Sequence, residues 1–169
     1  GNCAVVKPSA YTPKTSQAIA DMLGAIYAPE YVAVIQGGRQ ENAALLEQKF
    51  DYIFFTGSNT VGRLVMEAAA KNLTPVTAEL GGKSPAIVDA SSDLKLAAKR
   101  IAFGKLLNGG QTCVAPDYVL VEESARDQLI QYFREVLEEK FPNGNYADHV
   151  RIVSERHFKQ KKALLEGQT

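Results

Sequence analysis

A single cysteine stands in the stretch NGGQTCVAP, Asn108 to Pro116, behind a Gly-Gly pair and just ahead of a proline. Free cysteine ordinarily packs as a small apolar residue, but glycines and proline on either side of Cys113 predict a loop instead. Thiols are only a few per cent ionised at neutral pH, so a nucleophilic role there requires nearby positive charge or backbone donors. Upstream, Glu79 ends the apolar run VTAEL just before Gly81 and Gly82, where a carboxylate can face a cleft from a flexible backbone. Most glutamates so placed are merely solvated. Together, a thiol nucleophile and a carboxylate base make a covalent catalytic pair with a water to activate. Cys3, beside alanine and valine in a strand pattern, is expected to be buried and structural.

A second chemistry is suggested by FFTGSNTVG, which places Gly57 through Gly62 between a strand and a helix. Unpaired backbone N–H groups and the helix dipole favour a phosphate at such a junction. The nucleotide triphosphatase loop requires lysine and a hydroxyl residue after its last glycine, whereas Arg63 and Leu64 stand here. GGKSP at 81–85 fails the same pattern, because Thr77 replaces its first glycine and Pro85 would break the helix it must open. With G-x-G-x-x-G also absent, an unconventional phosphate site and an ordinary glycine turn both stay open. Lys7 closes the first strand in VVKPS, at the end where open parallel sheets gather ligands, though alone it reads more readily as a solvated lysine. His149 and His157 lie in polar contexts, and no hydrolase signature surrounds Cys113. Lys159, Lys161 and Lys162 read as the solvated face of a helix rather than a nucleic-acid patch.

The elements that must position these groups alternate, short β-branched runs with helical patterns, which is the signature of an α/β fold with crossover helices. Strands are expected at 4–7, 31–36, 52–55, 74–78, 86–88 and 118–121, with the run from Tyr52 to Phe55 dense enough to be buried on both faces. Helices are expected between them, with Thr12 and Pro13 opening the first, Ser91 or Ser92 capping the fourth and Ser124 the fifth. A last helix is expected around 155–165. Gly81 and Gly82 suggest a hinge between a lobe over 1–80 and a second over 81–169.

The 169 residues, 46% apolar and 22% charged, have a soluble globular composition. Nineteen basic and nineteen acidic residues cancel, so no overall field draws the chain to nucleic acid or an anionic membrane, and a small neutral partner is favoured. Two cysteines make neither a disulfide framework nor a metal spacing, which points to a reducing compartment and a cytoplasmic location. The residues given show neither a basic-then-apolar stretch nor an apolar run of membrane-spanning length, so neither export nor membrane spanning is expected, and the ends are expected to be those of a piece of a longer protein.

The ordered series GNCAVVKPS, FFTGSNTVG, TAELGGKSP and NGGQTCVAPDYVL resembles the NAD(P)-dependent aldehyde dehydrogenases, most closely the class-three group, over essentially the whole chain. The resemblance implies a Rossmann-like parallel sheet with crossover helices, followed by part of a second α/β catalytic lobe. It implies Cys113 as nucleophile and Glu79 as general base. Lys7 would contact the adenine ribose, and Gly57, Ser58, Val61 and Gly62 would hold the pyrophosphate of NAD or NADP at the helix start. The implied reaction takes an aldehyde through a cysteine thiohemiacetal and a thioester to the acid, in a full-length enzyme that is a homo-oligomer, a dimer.

One departure bears on the cofactor. Many relatives carry glutamate three positions after the lysine, to hold the ribose hydroxyls, and KPSA places Ala10 there, so NADP is expected to be tolerated along with NAD. The family's asparagine oxyanion donor and its glutamate-phenylalanine-glycine-proline segment lie outside the chain. The isolated piece is therefore expected to be inactive, since losing one oxyanion donor lowers turnover about a hundredfold or more. A truncated domain that binds a dinucleotide without chemistry, and a Cys-His hydrolase or acyltransferase, are the alternatives.

Overall fold

The computed structural model describes residues 1–166. The chain divides between Glu79 and Leu80 into two units, the first comprising Gly1–Glu79 with the segment from Val153 onward, the second Leu80–Ile152.

In the first unit, β1 (Ala4–Val6) leads through α1 (Pro13–Ile26) to β2 (Val32–Val34), which pairs parallel to β1 with Ala4 opposite Val32 and Val6 opposite Val34. Proline at the first position of α1 loses nothing, because that N–H has no partner inside the helix. Ser16, buried on its first turns, donates from Oγ to the carbonyl of Ser9 at 2.7 Å and so carries no unpaired hydroxyl. A second crossover follows: α2 (Arg39–Leu46), then β3 (Ile53–Thr56), α3 (Asn59–Ala70) and β4 (Val76–Glu79), with β3 and β4 parallel. In α3, Gly62, Val65 and Ala69 recur at helical spacing and are buried. The segment from Val153 contains α6 (Glu155–Ala163), whose cap Ser154 accepts from the N–H of His157.

In the second unit, β5 (Ser84–Val88) and β6 (Pro116–Val121) pair parallel, joined through α4 (Leu94–Leu106) and followed by α5 (Glu123–Lys140). The register shifts between Ser84 and Pro85, where proline has no N–H to give the ladder. Val88, Ala98 and Leu129 form the core, packed with Leu94, Ile101, Val119, Tyr132 and Phe133. Ala98, with no exposure, lies between α4 and its neighbours where a larger side chain would hold them apart. Leu129→Ala is expected to destabilise this unit by about 2–5 kcal/mol, measurable as a lowered denaturant midpoint.

The α/β class with parallel strands is as the alternation predicted, but four local expectations are corrected. β3 is not buried on both faces: Ile53 and Phe55 are half-buried, while Phe54 on the other side of the pleat is 66% exposed. Cys3 precedes β1 and is exposed, because apolar neighbours in sequence do not supply a covering layer. Asp93 caps α4, its Oδ1 accepting from Leu96 N–H at 3.0 Å, because the hydroxyls of Ser91 and Ser92 donate to Asp89. Ser124 lies inside α5 and donates to Glu122, whose other carboxylate oxygen accepts from the N–H of Ala90. No helix among the described residues is long and apolar enough to cross a membrane.

Candidate active site

Lys7 follows β1 directly, and its ammonium donates to the carbonyls of Pro8 at 2.8 Å and Gly37 at 2.7 Å, tying the carboxyl ends of β1 and β2 together. Gly37 has φ +135°, and a Cβ there would collide with the Glu41 side chain, so only glycine serves. Glu41 folds back to accept from the N–H of Gly38 at 2.6 Å. Hydrogen bonds from its own backbone N–H and that of Gly38 hold its carboxyl below the ordinary value, with the Lys7 ammonium adding to the effect. A carboxyl lowered by folding contributes stability that is present above its unfolded value and is lost as pH falls through the folded one. Acidification through the carboxylate range is therefore expected to loosen the start of α2, seen as faster amide exchange at 38–42.

Beside Lys7 a cleft of about 130 Å³ opens between Pro8, Ser9, Ala10, Pro13, Gln36 and Gly37. No carboxylate lines it. Neither this cleft nor Glu41 was legible as a site in the sequence, since the Lys7–Gly37 bond joins residues thirty apart.

The glycine turn lies at the matching ends of β3 and β4, where Gly57 N–H donates to the Glu79 carbonyl at 3.0 Å. Ser58 caps α3, accepting from Val61 N–H at 3.3 Å through Oγ and from Gly62 N–H at 2.8 Å through its carbonyl. The N–H groups of Asn59 and Thr60 have no carbonyl four residues back within the helix and stand at its positive end. Gly62 is buried, Val61 is partly exposed, and the Glu79 side chain is exposed at the last position of β4.

In the second unit the chain leaves α4 through three residues in the left-handed region, Asn108 (φ 53°), Gly109 (φ 62°) and Gly110 (φ 72°). A Cβ on Gly110 would stand 3.0 Å from the carbonyl of Lys105, so the loop folds back tightly on the helix end. Cys113 is exposed on the following turn, which is closed by Ala115 N–H donating to Thr112 at 3.0 Å. Its carbonyl lies against Gly82, where a Cβ would come within 3.1 Å. Asp117, at the start of β6, pairs with Lys83 at 3.4 Å and Lys105 at 3.7 Å, contacts too exposed to add much stability. Lys7, Gly57, Ser58, Val61, Gly62 and Glu79 thus belong to the first unit and Cys113 to the second. His149 packs edge-on against Phe141, and Nδ1 of His157 bonds the Ser154 hydroxyl at 3.0 Å.

Residues 1–168 match the family model described as the aldehyde dehydrogenase family. The chain is 46% identical to aldehyde dehydrogenase family 3 member A2 of Rattus norvegicus, over 99% of its own length and 35% of that protein. It is 42% identical to the dimeric NADP-preferring aldehyde dehydrogenase of Canis lupus familiaris, over 99% of its length and 38% of that relative. The substrate-bound structure of AldH from Staphylococcus aureus superposes with a TM-score of 0.91 at 45% identity, covering 98% of this chain and 36% of the other. The chain spans about a third of the length of the curated relatives it matches.

Proposed function

Because the chain belongs to the aldehyde dehydrogenase family, we propose that it forms part of an enzyme that oxidises an aldehyde to a carboxylic acid with NAD or NADP. Residues 1–80 serve as part of the dinucleotide-binding lobe and 81–169 as part of the catalytic lobe, although the segment from Val153 groups with the first unit. The observation that carries this reading is the exposed Cys113 on a loop held between glycines, the opposite of a packed structural cysteine. As in the canine relative's name, the full-length enzyme is proposed to be a dimer, and its exposed free cysteines suit a reducing cytoplasm.

The residues of the first unit fit a dinucleotide. Of the three protons on the Lys7 ammonium, two go to the carbonyls of Pro8 and Gly37, which leaves one for a ribose hydroxyl. Gly57, Ser58, Val61 and Gly62 build a helix start whose dipole favours a pyrophosphate. When bound, the cofactor supplies the hydride acceptor. The Cys113 thiolate adds to the aldehyde carbonyl, and the backbone N–H of Cys113 helps to hold the oxyanion, together with an amide from outside the chain. After oxidation the acyl group is a thioester on Cys113. Glu79 takes a proton from the water that attacks it, releasing the acid. Sulfur suits both steps, since a thiolate attacks near neutral pH and its acyl ester hydrolyses readily, whereas serine would need a dedicated base.

The test is aldehyde-dependent formation of reduced cofactor by the full-length enzyme. Its absence, with ester cleavage that vanishes on replacing His149 or His157, would favour the Cys-His hydrolase instead. The cleft beside Lys7 carries a further expectation, because Ala10 leaves no carboxylate there to repel a 2′-phosphate. Comparable affinities for NADP and NAD are expected, and Ala10→Glu is expected to weaken NADP by about tenfold relative to NAD in a cofactor titration.

A further inference from the structure

The loop that presents Cys113 is tied down by one side chain two residues before it. Gln111 donates through Nε2 to the carbonyl of Asn108 at 2.8 Å and to that of Arg151 at 3.3 Å, while Asn108 Nδ2 donates back to the Gln111 carbonyl at 3.4 Å. A Cβ on Gly109 would stand 3.3 Å from the carbonyl of Val150, so the backbone at 150–151 lies against the loop at a second point. Two adjacent glycines bring backbone freedom that must be lost before the following turn has one orientation. The Gln111 amide acts at that place, bonding the left-handed run on one side and a segment of distant sequence on the other.

From this geometry we propose that Gln111 is a positioning residue for Cys113. Its amide fixes the direction in which the chain enters the Thr112–Ala115 turn, and with it the place where the sulfur meets a carbonyl carbon and the Cys113 N–H meets the carbonyl oxygen. Both amide protons are committed to backbone carbonyls, so Gln111 acts through the loop and donates none to substrate. The inference rests on Cys113 being the nucleophile.

Gln111→Met and Gln111→Glu keep the length of the side chain and remove its donors. In the full-length enzyme each is expected to speed amide exchange over 109–114 by about tenfold or more, with exchange in the α4 and α5 core unchanged. Each is also expected to lower kcat for aldehyde oxidation by about ten- to a hundredfold while KM for NAD(P) stays within about twofold. Unchanged loop exchange, or kcat within about twofold of the parent, overturns the proposal, as does a rise in core exchange matching that of the loop. Should the parent enzyme oxidise no aldehyde, the role of Cys113 fails first. The rate of Cys113 alkylation by iodoacetamide across pH, in a Cys3→Ser background, then still reads the positioning: both variants are expected to change that profile, and superimposable profiles overturn it.

Discussion

Replacing Cys113 by serine is expected to lower aldehyde oxidation by the full-length enzyme roughly a thousandfold or more. The hydroxyl is nearly the same size but is not ionised near neutral pH, so the attacking group is lost while the space it fills is kept. Because Cys113 is exposed, the same change is expected to move stability by no more than about 0.5 kcal/mol. Steady-state formation of reduced cofactor and thermal unfolding, measured on the same preparation, separate chemistry from folding. Serine enzyme that retains more than about a tenth of the rate would remove Cys113 from the mechanism.

Glu79→Gln is expected to act later in the cycle. A carboxylate that activates water contributes about a hundred- to ten-thousandfold, so steady-state turnover should fall by that amount. The first turnover, which needs only the thiol and the hydride acceptor, should survive as a burst of reduced cofactor equal to the enzyme present. The amide keeps the shape of Glu79, and the bond between its carbonyl and Gly57 N–H belongs to the backbone, so the end of β4 is left intact. Loss of the burst along with turnover would place Glu79 in the attack step instead, and unchanged turnover would remove it from the reaction.

The alternation of elements was legible because short β-branched runs and helical spacing are local signals. The loop around Cys113 was legible for the same reason: Gly109 and Gly110 occupy left-handed positions that few other residues take. What escaped depends on partners distant in sequence. Lys7 meets Gly37 across a crossover, Gln111 meets Arg151, and Glu122 turns to Ala90 instead of opening α5 as an ordinary cap. Cys3 and Phe54 misled because apolar character predicts a wish for cover, and cover is supplied only by what packs above them.

If Cys113 is the nucleophile, the acyl group resides on its sulfur between oxidation and hydrolysis. Mixing Glu79→Gln enzyme with aldehyde and NAD(P), quenching in acid and mapping peptides by mass spectrometry reads this directly. The expected result is one acyl group on the peptide containing Cys113, formed in step with reduced cofactor and absent from the Cys113→Ser enzyme. Reduced cofactor formed with no acyl group on Cys113, or with the adduct on Cys3 or any other residue, would contradict it.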